Sequence, residues 1–296
     1  MVGAAVTPGA VAAVDIGTNS VRLLVTGPEG DLHREAVVTG LGRGVSRRGR
    51  LSPQGRAATL EVLARYRRLM EEAGVRGARA VATSASRDAS DAAEFVAEMT
   101  AVLGIEPEVI SGSEEAALSY AGVAADVTAG DFVVVDIGGG STEIITRAGG
   151  ASFDVGSVRV TDRFLPDRPV PPTQIEAARA WIRDVLEVEA ATLPVIGVAG
   201  TWTSLAALDR RLEPYSDAAV HHTALSASAV EGWVARLASL PIEETADLPG
   251  LDPARAPVIL GGALVAAMCL QVLGADGVLI SAHDLLDGVV ASLSSP

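Results

Sequence analysis

The chain has 296 residues, 49% of them hydrophobic and 3% aromatic, a length at which a single core usually divides into two. That hydrophobic share excludes a disordered chain, and the formal net charge of −14, with every basic residue an arginine, excludes the broad basic footprint that a nucleic-acid binder needs. The lone cysteine, Cys269, excludes an intramolecular disulfide and a cysteine-based metal site, and its apolar setting, Leu264–Leu270, reads as core.

In chain order, Met1–Ala13 is apolar but has no basic start and no cleavage site, so it does not read as a secretion signal. Val11–Ile16 is an apolar strand that runs through Asp15-Ile16-Gly17 into the short polar turn Thr18-Asn19-Ser20 and a second β-branched strand, Val21–Val25. Helical spacing of Leu60, Leu63, Tyr66 and Leu69 or Met70 predicts a helix over Pro53–Ala73, closed by Gly74. A buried strand follows at Ala78–Thr83, a helix at Asp91–Leu103, a strand at Glu108–Ser111 and a helix from about Ser113 to Tyr120. Ala124–Gly130 is a short polar link, and the two domains are expected to divide there, into 1–124 and 125–296.

The opening pattern then returns. Phe132–Ile137 leads through Asp136-Ile137-Gly138 into Gly139-Gly140-Ser141 and the strand Thr142–Ile145, with Asp15 and Asp136 spaced 121 residues apart. Two copies of one strand–turn–strand unit imply two related α/β domains that face each other. Beyond them, the proline-rich Pro166–Pro172 predicts a surface turn, Thr173–Glu189 a helix, and Pro194–Gly200 a strand leading into a helix through Leu208. Pro214–Thr223 and Pro249–Pro257 read as loops, and Val230–Leu240 and Val258–Leu273 as helices. The last of these is short for a membrane span and holds Gly261, Gly262 and Gln271, so a buried helix is expected and no membrane contact.

Glycine and small hydroxyl residues in a turn can aim several backbone N–H groups into one concavity, which suits an anion. Gly138, Gly139, Gly140 and Ser141 fit this, with three glycines that allow close approach and positive φ; Gly17, Thr18, Asn19 and Ser20 fit it less permissively. Asp15 and Asp136 end apolar strands, where a carboxylate is costly unless it is paired or metal-bound. Glu143 lies on the returning strand, so Asp136 and Glu143 can converge on one cation, with Asp15 opposite. Oxygen ligands alone suit magnesium, with manganese as the alternative, and histidine does not cluster with these motifs. His33, His221, His222 and His283 are scattered, and the His221-His222 pair reads as part of a solvated loop.

Four blocks then occur in order: Val14–Ser20, Ala82–Ala89 (Ala-Thr-Ser-Ala-Ser-Arg-Asp-Ala), Ile110–Ala116 (Ile-Ser-Gly-Ser-Glu-Glu-Ala) and Asp136–Glu143. Together with Gly156–Thr161, Gly200–Leu205 and Ser281–Gly288 they resemble the exopolyphosphatase and guanosine pentaphosphate phosphatase family over nearly the whole chain. The resemblance implies two ribonuclease H-like (actin-like) domains with the active-site cleft between them. It implies that Glu115 activates the attacking water, that Asp136 and Glu143 bind magnesium, and that the glycine loops cradle phosphate. Periodicity alone does not choose between Glu114 and Glu115, whose side chains diverge by about 100° on a helix; the resemblance selects Glu115.

The implied activity is hydrolysis of the terminal phosphoanhydride of inorganic polyphosphate, short chains in particular. The alternative is guanosine pentaphosphate 5′-phosphatase activity; a kinase of the same superfamily and a non-catalytic sensor are the remaining rivals. Arg87, with Thr83 and Ser84, is expected to form a second phosphate contact, with Arg159 and Arg22 as further candidates. The dense Arg43–Arg50 stretch reads equally as a guide for a polyphosphate tail and as a plain surface loop. Trp202, Ser204 and the Ala282-His283 pair depart from the family pattern at the cleft floor. A cytoplasmic location and a homodimer complete the expectation.

Overall fold

A computed structural model describes residues 9–127, 130–188, 190 and 193–294. The first half runs β1 (Val11–Ile16), β2 (Ser20–Gly27), β3 (Gly30–Val38), α1 (Val45–Arg48), α2 (Pro53–Glu72), β4 (Gly77–Ala82), α3 (Ser84–Asp88), α4 (Ala92–Leu103), β5 (Glu108–Val109) and α5 (Gly112–Ala124). The second half runs β6 (Val133–Ile137), β7 (Thr142–Thr146), β8 (Gly149–Phe153), α6 (Ser157–Phe164), α7 (Pro172–Val185), β9 (Val195–Val198), α8 (Ala199–Arg210), α9 (Asp217–Val220), β10 (Ala224–Ser226), α10 (Ala227–Ser239), α11 (Ile242–Ala246), α12 (Ile259–Leu273), β11 (Gly277–Ile280) and α13 (Leu285–Ser294).

The sequence repeat extends well past the hairpin. One sheet has the order β3-β2-β1-β4-β5 and the other β10-β11-β9-β6-β7-β8. In each, an antiparallel three-stranded meander (β1–β3, β6–β8) is continued by parallel strands laid beside its first member. The second sheet adds only the edge strand β10. Two mixed sheets covered by helices make this a two-domain α/β structure of the actin-like fold.

The second core centres on α12, which is apolar around its circumference and buried except near Gln271 and Val272, as an all-apolar helix inside a domain should be. Cys269 lies within it, fully buried. No helix among the described residues is long and apolar enough to cross a membrane. The first core packs α2 and α4 on β1, β2 and β4, through Leu63, Tyr66, Phe95 and Met99.

Several elements differ from the sequence expectation. The segment 214–223 contains α9, and Pro253–Arg255 makes a 3-10 turn inside the expected loop 249–257. β3 is mostly polar and half-exposed along its length, which hides it from hydrophobic patterning. The helix expected over Thr173–Glu189 begins at Pro172 and ends at Val185, and Glu189 lies outside the described residues, as do Met1–Pro8 and part of the 124–130 link. Helix α13 folds back onto the other half of the molecule, where Leu285, Leu286 and Val289 pack with Ala13, Leu24, Val81 and Leu118. Its partner α5 also covers the second sheet through Ala116 and Val123. These two helices cross at Gly122 and Gly288, where an added Cβ would run into the backbone carbonyls of Asp284 and Leu118 respectively.

Candidate active site

The two hairpins present matching turns. Gly17 N–H donates to Ser20 O at 3.0 Å, and Gly138 N–H donates to Ser141 O at 3.0 Å. The turns face each other so closely that a Cβ on Gly139 would come within 2.9 Å of Thr18 Cβ, and one on Gly140 would strike Ser84 Oγ. Neither turn uses positive φ. Gly139 and Gly140 are therefore required for close approach between the two halves, not for the left-handed conformation expected of them, while Gly17 and Gly138 pack only against their own hairpins. Ser84 begins α3, and the Ala85 N–H donates to Thr18 Oγ1 at 3.1 Å, which fixes this third wall against the first turn.

Register places the carboxylates. Asp136 stands opposite Glu143 across β6–β7, and in the other hairpin Asp15 stands opposite Arg22 across β1–β2. Asp15, Asp136 and Glu143 are all buried. Asp136 Oδ2 accepts from Ser119 Oγ at 2.6 Å and Glu143 Oε1 from Ser152 Oγ at 2.6 Å. Asp15 Oδ1 and Glu143 Oε2 are buried with no hydrogen-bond partner. A buried acceptor without a donor is costly, and two of them in one acidic cleft fit a hard divalent cation.

Helix α5 separates the two adjacent glutamates. Its cap, Ser111 Oγ, accepts from the Glu114 N–H at 3.2 Å. From that first turn Glu114 points outward to Arg79 Nη2 at 2.7 Å, while Glu115 is buried and its Oε2 accepts from Arg87 Nη1 at 2.7 Å. Burial pushes the Glu115 carboxyl up to about 7, partly offset by Arg87, with the Asp136 and Asp15 charges adding to the rise. Burial likewise lifts Asp136 to about 6 against the Ser119 hydrogen bond. Glu143 is raised well above the ordinary range by burial and by the Glu115 and Asp136 charges.

A sequence profile of the Ppx/GppA phosphatase family matches residues 26–295. The chain belongs to the Ppx/GppA phosphatase family. It is 37% identical to a protein named exopolyphosphatase 2 from Mycobacterium tuberculosis, over 96% of this chain and 98% of that one. Among solved structures, an exopolyphosphatase-like protein superposes with a TM-score of 0.89 at 30% identity, covering 97% of this chain and 98% of the other. The Aquifex aeolicus Ppx/GppA phosphatase superposes with a TM-score of 0.76 at 30% identity, over 97% and 100% of the two chains.

In this Ppx/GppA chain one small cavity of about 80 Å³ is bordered by Asp15, Gly17, Thr18, Asn19, Ser20, Ser84, Glu115, Asp136 and Gly138–Ser141. Glu143 stands beside Asp136 in the adjoining strand, and Arg87 reaches the cavity only through Glu115. Arg159 binds Gly140 O at 2.8 Å and Asp88 Oδ2 at 2.5 Å, so it braces the second turn against α3 instead of lying in the cavity. The Arg43–Arg50 stretch includes α1, and the Gly44 N–H there donates to Asp162 Oδ2 of α6 at 2.5 Å.

Two residues at the site were not legible as such. Ser119 lies one helical turn beyond Glu115 on the same face, a spacing that could have signalled it. Asp284 is buried, and it pairs with Arg22 Nη1 while Arg22 Nε donates to Asp15 Oδ2 at 2.8 Å. It belongs to the Ser281–Gly288 block, but its approach to Arg22 depends on α13 crossing between halves. Burial opposes the charge on Arg22, yet Asp284, Asp15 and Asp136 outweigh it and keep the guanidinium protonated. Beyond Arg22 the cleft widens into a chamber of about 520 Å³ that also meets Arg255, Leu212, Tyr215 and Leu251.

Proposed function

We propose that the chain is an exopolyphosphatase, a hydrolase that releases orthophosphate from the end of inorganic polyphosphate, with short chains preferred. The observation that carries this is the buried acidic cluster of Asp15, Asp136, Glu143 and Glu115, with two unpartnered carboxylate oxygens, set against paired turns. The likeness to the relative named exopolyphosphatase 2 over nearly the full length of both chains supports it.

In this reading the amides and hydroxyls of Gly17–Ser20, Ser84 and Gly138–Ser141 hold the terminal phosphate group. Glu115 takes a proton from the water as its oxygen attacks phosphorus, and the bridging P–O bond breaks to leave the shortened chain. Arg87 fixes Oε2 of Glu115, so Oε1 is the oxygen that would meet that water. Asp136, Glu143 and Asp15 would hold magnesium, or manganese, which when bound draws charge from the phosphate oxygens. The chain then works as a metal-dependent hydrolase of the cytoplasm, a homodimer in the same reading.

The 520 Å³ chamber favours a second reading, guanosine pentaphosphate hydrolysis. Tyr215, Leu212 and Leu251 offer apolar surface next to Arg22 and Arg255, the mixture a nucleoside with its phosphates needs. Phosphate release from short polyphosphate, long polyphosphate and guanosine pentaphosphate, each with and without magnesium, tests both. Preference for short polyphosphate is expected. Faster turnover of the nucleotide would replace the substrate, and no release from any of the three would end the hydrolase reading.

A further inference from the structure

The fold gathers three of the four histidines of this chain around one carboxylate, well apart in sequence and outside the cavity that holds the acidic cluster. Asp126 follows α5, His221 and His222 follow α9, and His283 lies in the turn between β11 and α13. Asp126 Oδ2 stands 3.3 Å from His221 Nε2 and 2.7 Å from His222 Nε2. The ring centroids of His221 and His222 are 3.8 Å apart, and those of His221 and His283 are 4.9 Å apart. One ligand atom each from Asp126, His221 and His283 fall within 4.8 Å of one another, and all three residues are half-exposed, so an ion can reach them.

Neighbouring side chains of an extended segment point to opposite sides. Here they stack because His222 adopts a left-handed backbone, φ 58°, which is strained for a residue with a Cβ. The strained turn is anchored, since the His222 N–H donates to Ile280 O at 2.8 Å. The chain thus holds two imidazoles on the same side of a carboxylate, and brings a third from another loop.

We propose that Asp126, His221 and His283, with His222 or water in the fourth position, form a binding site for a borderline transition-metal cation of the zinc class. Imidazole nitrogen with one carboxylate suits zinc, cobalt or nickel and disfavours magnesium. Metal–nitrogen and metal–oxygen bonds of about 2.0–2.1 Å in a tetrahedron set ligand atoms about 3.3 Å apart. The Asp126–His221 separation already has that value, and the rest is rotation of half-exposed side chains.

Binding has one recognisable local effect. The Ala282 N–H donates to His221 Nδ1 at 3.1 Å, so in the metal-free neutral ring the proton sits on Nε2. A cation on Nε2 needs the lone pair of that nitrogen, so the single proton of the neutral ring moves to Nδ1 and the Ala282 amide must give up its acceptor.

The test uses the untagged full chain in saturating magnesium, which occupies hard oxygen sites, titrated with zinc by calorimetry and with cobalt by visible absorption. One equivalent is expected to bind at micromolar concentration or tighter, with the strong visible bands of tetrahedral cobalt and a shifted Ala282 amide resonance. Asp126→Asn and His283→Gln, both near-isosteric and partly exposed, should each weaken binding at least about tenfold without changing the melting temperature of the metal-free protein. Absence of binding, or affinity unchanged in both variants, overturns the site.

Discussion

In the reaction proposed above, Glu115 is one residue asked to do two things, to lie buried and to be ionised at the moment of attack. Its Glu115→Gln variant should lose about 10²–10⁴-fold in kcat while phosphate-analogue binding persists; activity within a few-fold of the parent would remove it from the reaction. Burial pushes its carboxyl up to about 7 in the metal-free site, and a bound cation would pull it back down; magnesium-dependent turnover should climb with pH and level off at or below about 7, read from initial rates between pH 5 and 9. The same shift has a stability consequence of opposite direction. A carboxyl whose protonation point rises on folding favours the folded state at low pH, and the contribution is lost as pH climbs from about 4.5 through about 7. Asp136 and Glu143 act in the same sense. Metal-free protein should therefore melt several degrees lower at pH 8 than at pH 5, and metal-free Glu115→Gln should melt above the parent at pH 8. A melting point that rises with pH would contradict this. The choice between Glu114 and Glu115 shows where single-residue legibility ends. Helical geometry guarantees that only one faces inward, but which one follows from Arg79 and Arg87, and neither contact is local in sequence.

At the scale of elements, the paired hairpins were readable because each needs only its own residues, apolar strands on both sides of a glycine-bearing turn. β3 was not, since its half-exposed polar strand is held by pairing with β2. The placement of α13 was not readable either. Its apolar residues announce a buried face, but nothing in them says that the face belongs to the other sheet. We propose that the division after α5 holds for the sheets while α13 returns to the first. Its contact with α5 depends on two bare Cα atoms, at Gly122 and Gly288. Gly288→Ala should cost about 1–3 kcal/mol of stability, measured by urea unfolding, and should lower turnover by displacing Asp284 from Arg22. A neutral effect on both would mean that the crossing tolerates the extra carbon.

On the scale of the whole molecule, the cleft is bounded by contacts of different kinds. At one side α5 and α13 join the halves through apolar packing. At the other, Arg159 with Asp88 and the Gly44 amide with Asp162 join them through polar contacts, the first exposed and the second partly buried, and an exposed ion pair costs little to open. Opening is then expected at the polar side, as in hinge closure around a ligand. Asp88→Asn should raise KM for polyphosphate several-fold with a smaller change in kcat, and an unchanged KM would place the opening elsewhere. The gathering of His221, His222 and His283 also belongs to this scale. The adjacent pair and His283 lie 61 residues apart in sequence, and they meet Asp126 only because three loops end at one edge of the fold.

The two hairpins are not identical, and the difference lies at one register position. Where the second carries Glu143 opposite Asp136, the first carries Arg22 opposite Asp15. In the reaction proposed above, the first wall carries its positive charge in a side chain, while the second would take its own from a cation that Asp15 helps to hold. A chelator would then strip charge from the second wall and leave the Arg22 guanidinium in place. A single exchange of acid for base between two copies of one turn would in this way separate a fixed charge from a removable one.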